Sequence, residues 1–175
     1  MTNFIDLVTS RRSIRKYEDR PVVKEKVQQI LKAALMAPSS KRCTPWQFVV
    51  IDDKEKLQQL SVCREMGCKF MEGAPLAIVV LAEEEKSDVW VEDATIAAIM
   101  IQLQVEDLGL GSCWMQVRNR KKDENLTTED YIKEIINAPA GLKVECVIGI
   151  GYKAEEKKPF DETRLQLDKI HYNNF

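Results

Sequence analysis

Apolar positions along the chain change their period several times, and each change marks an element. Phe4, Leu7 and Val8 recur at helical spacing and predict a short opening helix. Val23, Val27, Ile30, Leu31, Ala34 and Leu35 form a clearer stripe on a second helix, which Pro38 stops at about Met36. Trp46 to Ile51, WQFVVI, is a β-branched and aromatic run that reads as a buried strand. Lys54 to Cys63 returns to helical spacing, with Leu57, Leu60 and Ser61 on one side. Leu76 to Ala82, LAIVVLA, is a nearly uninterrupted apolar strand announced by Gly73 and Pro75. The longest helical pattern, Trp90 to Leu108, is apolar almost all round in its middle, which predicts a central position. Gly109 and Gly111 end it, and Ser112 to Val117 is short and strand-like. Thr127 with Asp130 opens a further helix in capping-box fashion, with a shorter acid than the usual Glu. Pro139 and Gly141 close that helix, and Val144 to Gly151, VECVIGIG, is the last core strand.

Helices alternating with buried strands around one very apolar helix predict a three-layer α/β or α+β sandwich. No repeat, low-complexity run or linker interrupts residues 1–175, which therefore read as one domain. Residues 160–175 form a tail whose Leu165, Leu167, Ile170, Tyr172 and Phe175 are too few to fold alone. The tail is expected to pack on the body or on a partner subunit.

Composition narrows the function classes. A net charge of −2 gives no electrostatic case for nucleic acid or an anionic membrane. The opening MTNFIDLVTSRRS has no signal-peptide pattern, and no apolar run approaches a membrane span, so a cytoplasmic protein is expected. Five irregularly spaced cysteines and a single His171 make a metal site improbable and suit reduced thiols. GxGxxG, Walker A, GxSxG and HExxH patterns do not occur, so any enzymatic reaction would fall to a cofactor.

Candidate ligand-binding residues fall in four segments. Arg11, Arg12, Ser13 and Arg15 set several guanidiniums around a hydroxyl, a donor set that suits a phosphate monoester. Taken alone, the run reads first as a solvated basic loop. Ala37 to Trp46, APSSKRCTPW, joins a helix to a strand through small and polar residues that admit a ligand closely. Gly109 to Trp114 and the strand glycines Gly149 and Gly151 are the other two, since glycine inside a strand often marks close approach of another group.

Taken together and in this order, RRSIRKY, APSSKRCTPWQFVVI, DATIAAIMIQLQVEDLGLGSCW, VIGIGY and TRLQLDKIHY resemble the nitroreductase family of FMN-dependent oxidoreductases. The resemblance implies an α+β fold, a three-layer α/β/α sandwich with a mostly antiparallel sheet, and a homodimer with FMN at the dimer interface. It implies that Arg11, Arg12, Ser13 and Arg15 hold the FMN phosphate and ribityl chain. It places Ser39 and Ser40, from the partner subunit, beside the flavin. Trp114, Met115 and Gln116 would meet the ring by their backbone, Gly149 and Gly151 would line the ribityl side, and Arg164 would return to the phosphate. Arg42 stands where the family pattern has Asn, and Thr44 where it has Gln. Arg42 thus has three readings: a contact to the flavin ring, a contact to an anionic substrate, or solvent.

The implied reaction passes hydride from NADH or NADPH to FMN and then to an electron-poor acceptor such as a nitroaromatic or quinone, in ping-pong fashion. No catalytic side chain is assigned. Relatives of this fold also suggest a dehalogenase or flavin-modifying enzyme, and a non-catalytic flavin-binding protein is the alternative from another class.

Overall fold

The computed structural model describes residues 3–175. Four strands form one sheet in the order β1-β2-β4-β3: β1 (Trp46–Ile51), β2 (Leu76–Glu83), β3 (Gly111–Gln116) and β4 (Leu142–Gly151). All three pairings are antiparallel. Helices cover both faces, which gives the α+β sandwich anticipated from the alternation of elements.

Strand periodicity assigns the faces. Leu76, Ile78, Val80 and Ala82 of β2, with Cys146, Ile148 and Ile150 of β4, pack under α2 (Lys24–Leu35) and α4 (Trp90–Asp107). Ala77, Val79 and Leu81 face the opposite layer, with Leu57 and Leu60 of α3 (Lys54–Leu60) and Ile132 of α5 (Thr128–Ile135). β4 carries one irregularity: Val80 pairs with Cys146 but Leu81 with Val144, so Glu145 is an extra residue in a bulge. The bulge turns Val144 to the same face as Val147. It also leaves Glu145 buried, with Oε2 unpaired among the described residues.

The helix ends follow their sequence signals with one exception. α4 closes in a Schellman motif: Gly109 adopts φ +71°, its N–H donates to Glu106 O (2.9 Å), and Leu110 N–H donates to Val105 O (3.0 Å). Asn137, at φ +49°, closes α5 in the same way before Pro139 is reached. Thr127 Oγ1 accepts from Asp130 N–H (3.0 Å) and donates to its carboxylate (2.6 Å). Helical spacing running to Cys63 overestimates α3, which stops at Leu60. There the Ser61 hydroxyl donates to Gln58 O (2.7 Å), and the Cys68 thiol donates to Ser61 O (3.1 Å). Side chains thus take the carbonyls that a further turn would use.

The tail is tied to the body at its start, where Phe160 N–H donates to Thr9 O (2.8 Å). Beyond it, Leu165, Leu167, Ile170, Tyr172 and Phe175 are all more than half exposed.

Candidate functional site

α1 (Phe4–Ser10) delivers the basic segment to the outer edge of β3. Ser13 bridges Ser112 in parallel, and Ile14 N–H donates to Ser112 O (2.9 Å). Further along, Ala154 N–H donates to Lys16 O (3.0 Å) and Glu18 N–H to Tyr152 O (2.9 Å). The segment therefore closes a strand edge that would otherwise present unpaired backbone. Ile14 anchors it as a buried plug. Gly111 faces that plug, where a Cβ would lie 2.8 Å from the branched Ile14 side chain. The glycine is required by protein packing.

Two side chains absent from the sequence-level candidates complete the segment's hydrogen bonding. Tyr17 Oη donates to Ile14 O (2.6 Å) and also meets Gly149 O (3.1 Å), and burial pushes its phenol far above its ordinary pKa. Glu155 accepts from Arg15 N–H (2.6 Å) and Lys16 N–H (3.2 Å), and its other oxygen pairs with Lys157 Nζ (2.9 Å). The Arg15 backbone bond, followed by Lys157, holds the Glu155 carboxyl down at about 2. An acid beside a glycine-rich strand end, in GYKAEE, was the only sequence signal for it.

The basic quartet divides into two roles. Arg12 Nη1 donates to Lys158 O (2.7 Å) and Pro159 O (3.3 Å), which ties one nitrogen of its guanidinium to the start of the tail. Burial pushes the Cys113 thiol of β3 up, and nearby Arg15 and Ser13 oppose that shift. Among the described residues neither Arg11, Arg12 nor Arg15 forms an ion pair.

β3 lies beside this segment. Trp114 is half-buried, and its indole N–H donates to Gln116 Oε1 (2.8 Å), while Gln116 Nε2 donates to Arg118 O (3.0 Å). Met115 points into the opposite layer and is fully buried. Gly149 and Gly151 of β4 pair with Cys113 and Gly111. Both are buried, and a Cβ would lie 2.8 Å from Phe70 at Gly149 and 2.7 Å from Pro75 at Gly151. Protein side chains thus make the close approach that these glycines permit, and only their backbone remains for a ligand.

Ser39, Ser40 and Arg42 belong to a separate loop tied to α4. Ser40 N–H donates to Asp93 Oδ1 (2.8 Å) and the Ser87 hydroxyl to Asp93 Oδ2 (2.8 Å), while Thr44 N–H donates to Ser39 Oγ (2.9 Å). Asp93 is buried on α4 and hidden from sequence reading among acids that look solvated. Lys41, Arg42 and Thr44 all have positive φ, at +50°, +56° and +43°. Asn, the family's residue at position 42, tolerates that backbone better than Arg. The Arg42 side chain is exposed. Arg164 lies on the exposed tail, with no hydrogen bond to the basic segment among the described residues.

Two outcomes follow from this geometry. Asp93→Ala leaves the Ser40 N–H and the Ser87 hydroxyl unpaired, which should cost about 1–3 kcal/mol in chemical denaturation. It should also speed tryptic cleavage after Lys41 or Arg42, and an unchanged cleavage rate would contradict the tether. For Glu155, the folded pKa lies below the ordinary 4.5, so its stabilising contribution is present above 4.5 and is lost as pH falls toward about 2. Glu155→Gln should melt below the parent near neutrality, and the gap should narrow through that acid window. A gap independent of pH would exclude the charge as its source.

Comparison with known proteins accords with this arrangement. The sequence model of the Nitroreductase family matches residues 8–62 and 55–152. A chain of Archaeoglobus fulgidus, provisionally named NADH dehydrogenase/NAD(P)H nitroreductase, is 35% identical over 98% of each protein. The FMN reductase (NADPH) of Bacillus subtilis is 27% identical over 99% of this chain and 74% of its own. The structure of an FMN-dependent nitroreductase from Clostridium difficile R20291 superposes with a TM-score of 0.96 at 56% identity, covering 98% of this chain and 99% of that one. The edge-bound basic segment, the four-stranded sheet and these matches together establish that the chain belongs to the nitroreductase family.

Proposed function

We propose that this chain is an FMN-dependent oxidoreductase that takes hydride from NADH or NADPH and passes it to an electron-poor acceptor, a nitroaromatic or a quinone, by a ping-pong mechanism. The observation that carries this reading is the state of the basic segment. Its backbone is largely satisfied by protein, while Arg11, Ser13 and Arg15 keep cationic and hydroxyl groups on one short stretch without an ion-pair partner among the described residues. That donor set fits a phosphate dianion, and the printed names of relatives include an FMN-dependent nitroreductase and an FMN reductase.

When bound, FMN supplies a ring that accepts hydride and then delivers it to the second substrate. The chain's own residues bind and orient. Arg11 and Arg15 offer guanidinium forks to the phosphate, Ser13 a hydroxyl, and Arg164 a further cation. The backbone of Trp114, Met115 and Gln116 would meet the ring, and the Trp114–Gln116 hydrogen bond ties together two side chains of that strand end. Gly149 and Gly151 contribute backbone only. Ser39, Ser40 and Arg42 come from the partner subunit's loop. No side chain of this set is required to move a proton in the first half-reaction.

The same reading makes the active form a homodimer. Phe4 and Ile5 of α1, Leu35 at the end of α2 and Met36 beyond it, and Leu165, Leu167, Ile170, Tyr172 and Phe175 of the tail are all more than half exposed. Apolar area on that scale suits a protein interface. No helix among the described residues is long and apolar enough to cross a membrane. Five unpaired cysteines suit a reducing compartment, the cytoplasm.

Protein purified with its flavin should lose its yellow absorbance on addition of NADH or NADPH under nitrogen and regain it with a quinone or nitroaromatic. Cofactor released by heat should be FMN; FAD, or a flavin that neither nucleotide bleaches, would overturn the assignment. Light scattering should give twice 20.1 kDa, and a flavin-saturated monomer would exclude the shared site.

A further inference from the structure

Among the described residues, Glu155 is the one carboxylate that accepts hydrogen bonds from the basic segment, and it does so through the backbone. One of its oxygens accepts from two successive N–H groups, and the other faces Lys157. An anion so placed could act in two opposite ways on a phosphate: it could compete for the cations, or it could fix the chain that carries them. The geometry decides between these. Lys157 neutralises the carboxylate locally, and the N–H groups it occupies are donors that a phosphate at a side-chain site does not need. The next peptide is held as well, because Lys16 O accepts from Ala154 N–H (3.0 Å). Tyr17 Oη fixes Ile14 O two residues earlier than the Glu155 contact to Lys16. Arg15 thus sits between two backbone clamps.

We propose, on the FMN reading above, that Glu155 is the positioning residue for the cofactor phosphate, acting through the backbone of Arg15 and Lys16. It fixes the backbone from which the Arg15 side chain departs, two residues along the segment from Ser13. A long side chain fixed at its root loses less freedom on binding, which is where the affinity gain arises. The other charged groups near the carboxylate are Arg12, Lys153, Glu156 and Lys157, which line a cavity of about 600 Å³ with it, and Lys16 on the segment itself. Tyr17 and Cys113 also feel its charge.

The test compares two ligands that differ only in the phosphate. The full chain, stripped of flavin, is titrated with FMN and with riboflavin by quenching of flavin fluorescence. Glu155→Ala should weaken FMN binding about tenfold or more while leaving riboflavin affinity within about twofold. Glu155→Gln should recover part of the loss, because its amide oxygen can still accept from the two N–H groups. Equal weakening of both ligands would reduce Glu155 to a general structural role. Tighter FMN binding in either variant would make it a rival anion. Both results overturn the proposal. Arg11→Ala runs alongside: if the parent binds FMN no better than riboflavin and Arg11→Ala changes neither, the phosphate site itself is misplaced, a failure separable from that of Glu155 alone. Should Glu155→Ala not fold, the same FMN-to-riboflavin ratio in Glu155→Gln decides.

Discussion

Everything placed at the candidate site depends on one requirement: each backbone N–H and C=O between Ile14 and Glu18 needs a partner at the edge of a sheet. β3 is an edge strand, and Ser112 supplies the first bond. The chain leaving β4 supplies the next through Tyr152 and Ala154, and two side chains, Tyr17 and Glu155, add bonds to Ile14 C=O and to the N–H groups of Arg15 and Lys16. The loop is therefore rigid where a run of basic residues would ordinarily be solvated. Rigidity is what converts scattered guanidiniums into a binding surface, since each is fixed before a ligand arrives.

The rest of the fold serves that edge. β2 and β4 are buried on both faces, so their side chains read as continuous apolar runs and their position in the middle of the sheet follows. α4 lies on one face, where Ala94, Ala98, Ile101 and Val105 are buried. Its first turn carries Asp93, which reaches out to Ser40 and Ser87. One helix thus anchors both the core and the strained serine loop. Three non-glycine residues at positive φ in that loop are a local cost that the Asp93 tether offsets.

The elements were legible because their signals are local. Pro38, Gly109 and Thr127 each act within one turn, and β2 shows its burial in seven consecutive apolar residues. α3 was overextended because what ends it is the Cys68 thiol, seven residues away from Ser61. The site divides on the same principle. Arg11, Ser13 and Arg15 were recognisable by residue type. Glu155 and Tyr17 were not, since a partner 140 residues distant along the chain, like that of Arg15, leaves no periodic trace. Gly149 and Gly151 illustrate the converse. A glycine in a strand announces close approach, but the sequence does not name what approaches, and here Phe70, Pro75 and Tyr17 occupy the space.

Arg12 shows why neighbouring identical residues need not share a role. Its guanidinium spans from the basic segment to the carbonyls of Lys158 and Pro159, and Phe160 N–H adds a bond to Thr9 O (2.8 Å). The root of the tail is therefore fastened to α1 and to the segment proposed to hold phosphate, while the exposed apolar residues beyond it are not fastened to this protomer at all. A charged group buys little when it merely pairs at a surface, but Arg12 offers planar donors to two carbonyls that no strand satisfies. Its position sets the direction in which the tail departs.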